Sequence, residues 1–257
     1  MPQDQEMRNE NRRLFNNLGK GNGAIGLPGV DGAIDCTHVR LVDTRFQNIS
    51  EIYRNRKGYF SLNVQVCIIF CTIFCLFLII HFFMNNICIL QTVVGPRMEF
   101  LDIVPEWPGS AHDSRIFQNS LLCIRYIENQ LDGGILVGDR GYPCLPFLMT
   151  PIPNPRTDEE MSYNDIQCRT RLIVERTYGV WKRRFPCLSR GLTTKLITST
   201  TIVVACAVLH NMSLIFNDVL PDDDELYDYE EVPVHEPNNN AIDGFAAREA
   251  MITRMFN

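Results

Sequence analysis

Apolar residues along this chain recur with two different periods, and the switches between them mark out an α/β protein. From Gly32 to Val42 (GAIDCTHVRLV) the residues alternate, which predicts a strand. Ala33, Asp35, Thr37 and Val39 face one way on it, and Ile34, Cys36 and His38 the other. Tyr59 to Gln65 (YFSLNVQ) and Met98 to Val104 (MEFLDIV) predict two more strands. His112 and Asp113 open a helix that runs to about Gln130. Ile135 to Asp139 (ILVGD) reads as a buried strand that stops on an acid at its carboxyl end, where open α/β sheets place their sites. Pro143 to Pro155 holds five prolines and is predicted irregular. Farther on, Val174, Tyr178, Trp181 and Phe185 recur at steps of four, three and four, one face of a helix over Thr170–Phe185. Phe185–Thr194 is predicted to be a loop, and Lys195–Phe216 an apolar, largely buried helix.

The ends carry less pattern. Residues 1–25 predict a short, frayed lead-in that runs into a Gly-rich loop, and 218–257 an acidic, mostly disordered tail. The part between, 26–217, holds all the strand and helix signals and is long enough for one substantial core.

Charge changes this picture locally. Hydrophobic residues make up 46% and charged residues 21%, as in a globular protein, and the net charge of −6 argues at first against a polyanionic partner. Yet Pro221–Glu236 alone contains eight acids and no Lys or Arg. Residues 1–220 carry 22 Lys and Arg against 20 Asp and Glu, a net of +2. Between Arg169 and Lys195 eight basic residues face a single acid, Glu175. Ten cysteines without one C-x-x-C pair argue against a zinc ribbon, and a polar first twenty residues predict no signal peptide. Reduced thiols in the nucleus or cytosol are the expectation.

Val66–Phe83 (VCIIFCTIFCLFLIIHFF) breaks every period. By length and hydropathy it is a transmembrane candidate. A span there would separate Asp35 from Asp113, Asp139 and Glu175 and part the second strand from the third, so no membrane is expected. Deleting residues 66–91 joins Gln65 to Thr92 and leaves SLNVQ-TVVGPRMEFLDIV, a hairpin turning at Gly95-Pro96-Arg97. The deleted piece is 26 residues, or 78 bases; Val codons begin with GT and one Gln codon ends in AG, the usual intron boundaries. The block is read as an in-frame retained intron or a gene-model error; a translated block would be an apolar liability for folding.

Each acid has an ordinary reading and a sharper one. Asp35 is a poor strand former, either hydrogen-bonded at an edge or bound to a metal. Asp113 in a first helical turn is ordinary dipole compensation or a ligand. Glu175 is an ion-pair partner on a solvated face or a ligand on a surface that neutralises phosphate. His38 and His210 read as packed or hydrogen-bonding histidines.

The wording of the motifs narrows these choices. GAIDCTHV, NRKGYFSLNVQ, WPGSAHDSRIF, GDRGYPCLPFLMTP, TRLIVERTYGVWKRRFPCL and ACAVLHN occur in this order, with 35 residues between Asp139 and Glu175. Together they resemble the PIF/Harbinger transposase-derived nucleases, of the Asp-Asp-Glu transposase superfamily, over roughly Gly26–Asn211. That resemblance implies a ribonuclease-H-like mixed sheet flanked by helices, with Asp35, Asp113, Asp139 and Glu175 binding divalent metal. It implies phosphodiester hydrolysis in DNA with Mg2+ or Mn2+: Asp35 bridging two ions, Asp139 and Glu175 completing one each, Asp113 an outer or fourth ligand. Arg56, Lys57, Arg140, Arg176, Lys182 and Arg183 are candidates to hold the DNA backbone, with ordinary surface charge as the other reading. By family analogy a separately encoded Myb-like DNA-binding protein supplies targeting in the nucleus. The family's N-terminal helical region is expected to be almost absent here. A domesticated or decayed DNA- or protein-binding domain without turnover is the alternative.

The intron reading makes a checkable prediction. Gln91 is expected to be encoded by CAG, with some transcripts lacking the 78 bases; a CAA codon, or transcripts that always keep the block, contradicts it.

Overall fold

The computed structural model describes residues 5–18, 26–42, 61–66, 93–108, 112–218 and 242–256, with the backbone alone at 61–66, 104–108 and 196. In chain order the elements are α1 (Gln5–Leu18), β1 (Val30–Ala33), β2 (Cys36–Arg40), β3 (Ser61–Val66) and β4 (Ile103–Pro108). Next come α2 (Asp113–Gln118), α3 (Leu121–Ile127), β5 (Ile135–Val137) and β6 (Leu148–Met149). The chain continues through α4 (Asp158–Arg184), α5 (Pro186–Arg190), α6 (Leu196–Ile215) and α7 (Ile242–Phe256).

The strand expected over 32–42 is central and is broken in two at Ile34 and Asp35. Its first half, β1, pairs in parallel with β5, which pairs in parallel with β6. Its second half, β2, runs antiparallel to β3, and β3 antiparallel to β4. The result is a mixed α/β architecture with helices on both faces. The pleat shows in where neighbours point: Val94, Phe100, Val137 and Met149 join one buried cluster, while Val93, Leu101, Leu136 and Leu148 join a second. The first cluster packs α1, α4, α6 and α7 against the sheet; the second packs α2 and α3.

Register shows what the apolar block interrupts. An unbroken antiparallel ladder that pairs Cys36 with Gln65 would set Ala33 against position 68. Ala33 instead faces Val94, which is 26 positions on (94 − 68). Val94 also faces Phe100, and the Gly95 amide donates to the Glu99 carbonyl at 2.8 Å, closing the turn around Gly95-Pro96-Arg97. Thus the pairing of Val94 continues the strand line that ends at Val66, offset by 26 positions. The offset equals the length of the block 66–91.

Several sequence expectations need correction. The helix expected over 113–130 is two short ones, because the Ser120 hydroxyl caps the second by accepting from the Cys123 amide at 3.1 Å. The 143–155 stretch contains β6, and the 185–194 loop contains α5, started by Pro186 at its first turn. The helix expected from Thr170 begins at Asp158, where Thr157 and Glu160 form a capping box.

Both ends are more ordered than their composition suggested. In α1, Phe15 is buried, and Arg12 Nε donates to Asp31 Oδ1 at 2.6 Å while its Nη2 donates to the Leu131 carbonyl at 3.0 Å. Tyr126 Oη donates to Asp31 Oδ2 at 3.2 Å; burial still holds the Asp31 carboxyl above the usual range, against Arg12. Gly134 is required beside this pair, since a Cβ there would lie 1.7 Å from Asp31 Oδ2. In the tail, α7 docks through buried Met251 and Ile252, and Arg248 Nη1 donates to the Thr150 carbonyl at 3.0 Å. The acidic run 219–241 lies outside the described residues.

Helix α6 anchors the hairpin tip. Asn211 exchanges two hydrogen bonds with the Phe100 backbone, at 2.9 and 2.8 Å, and His210 Nε2 lies 3.0 Å from the Met98 carbonyl. His210 is therefore a packed histidine, and burial lowers its pKa to about 4. A folded-state value below the unfolded 6.5 means that the unfolded chain takes up the proton first as pH falls. Stability is thus full above pH 6.5 and is lost progressively down to about 4, by up to about 3 kcal/mol. Urea unfolding of the wild type and His210→Gln should diverge across that window, the variant losing less; parallel curves would contradict the assignment.

Candidate active site

Helix α4 is the frame of the site. Gln167, Arg171, Glu175, Tyr178 and Lys182 follow one another at steps of four, four, three and four, so they form one stripe along the helix. Four of the five reach the strands beneath. Gln167 Nε2 donates to the Gly138 carbonyl at 2.7 Å and lies 3.3 Å from that of Met149. Arg171 Nη1 donates to Asp35 Oδ2 at 3.2 Å, and Tyr178 Oη to the Asp35 carbonyl at 2.7 Å. Lys182 Nζ donates to Thr37 Oγ1 at 2.7 Å and to the His38 carbonyl at 3.3 Å. The helix thereby grips the carbonyl before Asp139, both the side chain and the carbonyl of Asp35, and the first turns of β2.

Asp35 lies where the central strand breaks, its Oδ1 accepting the Cys36 amide at 2.8 Å. Asp139 lies two residues beyond the end of β5, and its Oδ1 accepts the Gly141 amide at 2.9 Å, an Asx-type turn that holds the carboxylate near the strand end. Asp113 opens α2. Glu175 meets the same Arg171 Nη1 at 2.7 Å. The side chains of Asp35 and Glu175 are each 18% exposed, enough for an ion or a phosphate oxygen to reach them from solvent.

The electrostatics show that the four acids share one neighbourhood. Burial raises the Asp35 carboxyl well above the usual carboxylate range; the Asp139 charge adds to this, Arg171 opposes it, and Asp113 adds again. Burial also raises Asp139, followed by the charges of Asp113 and Glu175. Burial and the nearby Asp113 hold the Cys36 thiol far up, while its sulfur lies 3.3 Å from Tyr142 Oη. Lys182 shifts the other way: burial lowers its ammonium to about 8.

Arg171 therefore joins Asp35 to Glu175, and the charges of Asp113 and Asp139 act on Asp35 from nearby. Among the described residues no group of three or more His, Cys, Asp or Glu is drawn tightly enough to grip an ion as it stands. The donor set nonetheless suits a hard divalent cation. All four groups are carboxylates, and two, Asp35 and Asp139, are raised above their ordinary range first by burial and then by the charge of neighbouring acids, a charge that a cation relieves.

Of the bases expected on DNA, Arg140 and Arg176 are exposed next to Asp139 and Glu175, and Arg183 is half-buried. Lys182 is tied to β2 rather than extended to solvent. Arg56 and Lys57 lie outside the described residues. Gln167, Arg171 and Tyr178 had not been singled out from the sequence. The signal was present in their helical spacing with Glu175, but Tyr178 had been placed with the apolar residues and Arg171 with the surface charge.

Residues 84–211 match the sequence pattern of the family described as DDE superfamily endonuclease, a span that includes Asp113, Asp139 and Glu175 but not Asp35. The human protein "Putative nuclease HARBI1" is 32% identical over 195 residues, covering 75% of this chain and 48% of its own length. The chain belongs to the PIF/Harbinger transposase-derived nuclease family. A Xenopus laevis protein of the same name is 28% identical over 192 residues, covering 74% of this chain and 47% of its own. "Protein ALP1-like" of Arabidopsis thaliana is 24% identical over 220 residues, covering 78% of this chain and 47% of its own. The chain thus spans about half the length of the curated relatives it matches. No solved structure matches it.

The Gln167 contacts give a direct test of α4 as the frame. Gln167→Leu keeps the side chain's bulk but removes the amide donor from the Gly138 carbonyl, while the Met149 carbonyl keeps the Gly138 amide. It should cost about 1–3 kcal/mol in urea unfolding. An unchanged midpoint would mean that α4 does not hold the β5 end.

Proposed function

We propose that this chain is a metal-dependent DNA endonuclease of transposase descent, built on a ribonuclease-H-like scaffold. The observation that supports this reading is that Asp35 and Glu175 meet through Arg171 while Asp113 and Asp139 lie near enough to act on the same group by their charge. Asp35, at the break in the central strand, would be the shared ligand of two ions, with Asp139 and Glu175 each completing one and Asp113 outermost. Bound Mg2+ or Mn2+ supplies Lewis acidity that activates water and stabilises the leaving oxygen of an in-line displacement at phosphorus.

The chain's own groups do the rest. The Gly141 amide and the Gln167 bond to the Gly138 carbonyl fix the direction of the Asp139 carboxylate. Tyr178 fixes the carbonyl of Asp35, so its side chain is aimed by backbone rather than by rotamer alone. Arg140 and Arg176 stand beside the acids as exposed cations that favour a phosphodiester backbone without reading its sequence. We place the protein in the nucleus, with targeting supplied by a separately encoded Myb-like DNA-binding protein.

Nicking of supercoiled plasmid in Mn2+ tests this. The chain lacking residues 66–91 should nick, and its Asp139→Asn variant should be slower by about a hundredfold or more, since even groups that only orient metal ligands are worth about 10–100-fold. Equal nicking by both contradicts the site; no nicking by either favours a binding domain without turnover.

A further inference from the structure

Among the described residues, Arg171 is the cation that reaches between two of the four acids. Its Nη1 lies 2.7 Å from Glu175 Oε1 and 3.2 Å from Asp35 Oδ2, and its side chain is only 20% exposed. The Glu175 contact alone would be an ordinary pair one helical turn apart, worth a few tenths of a kcal/mol on an open surface. Reaching Asp35 is different, because that carboxylate is 136 positions away in the chain and belongs to the central strand. One nitrogen thus joins the two carboxylates that the proposed chemistry needs on opposite elements.

We propose that Arg171 is the site's built-in counter-cation: it bridges Asp35 and Glu175, and a divalent ion binds there only by displacing it. The inference rests on reading the carboxylates as a metal site and says what regulates that site. Two facts about charge support it. Among the described residues Arg171 is the cation whose charge acts on both Asp35 and Asp139, and it pairs with Glu175 as well, so one positive charge is shared among three carboxylates that a divalent ion would neutralise more fully. And Arg171 Nη1 lies between Asp35 Oδ2 and Glu175 Oε1, so an ion that bridges those two oxygens would have to take its place. The pocket therefore stays assembled by Arg171 at low metal and exchanges one cation for another as metal rises. Metal demand is then set by Arg171.

Mn2+ binding measured on the full chain by the electron paramagnetic resonance signal of the free ion tests this, together with melting in chelator. Arg171→Gln should bind Mn2+ about tenfold or more tightly than wild type, because a repelling charge a few ångströms away is gone. It should melt at a lower temperature in chelator and gain more on Mn2+ addition. Arg171→Lys, which keeps the charge, should bind Mn2+ much as wild type does. Wild-type or weaker binding by Arg171→Gln overturns the proposal and leaves Arg171 a structural brace.

Asp35→Asn separates the two ideas. It should lose Mn2+ binding; if it binds like wild type, the metal reading itself fails. Should Arg171→Gln not fold, guanidinium NMR of the wild type decides: Mg2+ should free the restricted rotation of the Arg171 guanidinium. Restriction that persists at saturating Mg2+ overturns displacement.

Discussion

Everything at this site depends on how one helix lies across one strand. Helix α4 spans Asp158–Arg184 and sends a polar stripe down onto the central strand and the end of β5, where it meets backbone carbonyls as well as side chains. Hydrogen bonds to buried carbonyls are costly to lose, so the crossing has little freedom. The apolar residues on the flanking face, Val174 and Trp181, are buried against Phe100 and its neighbours and press the stripe into place. Packing supplies the force and the stripe supplies the register. Acids distant in sequence can then share a pocket that their mutual repulsion opposes.

The sheet tolerates more than the site does. Its central strand is broken at Asp35, and the strand beside it shifts register by 26 positions between Gln65 and Val94, yet the pairing is in line on both sides. Two reasons are visible. The hairpin tip is held independently by Asn211 and His210 from α6, and the parallel side by β5 and β6. The broken strand is also what makes room for chemistry, since an unbroken ladder would bury the Asp35 backbone on both sides.

Sequence reading went furthest where period and chemistry agreed. The strand over Gly32–Val42, the acid at the end of Ile135–Asp139 and the helix carrying Glu175 all announce themselves by alternation or helical spacing, and the family motifs fall on them. It fell short where order comes from distant partners. Composition made α1 and α7 look frayed, but Arg12 meets Asp31 and Arg248 meets Thr150, pairings no local window contains. Two-residue β6 and five-residue α5 are too short for any period to register. Arg171 was hidden for a related reason: among eight bases in one stretch, nothing local says which one turns inward.

The account stands or falls on where a hard cation settles. Crystals of the chain soaked in Mn2+ and measured at the manganese edge would answer this by anomalous scattering. A peak among the carboxylates of Asp35, Asp139 and Glu175, with the Arg171 guanidinium moved aside, is the predicted result. A peak elsewhere, or none while those carboxylates remain paired with Arg171 at saturating Mn2+, would contradict it.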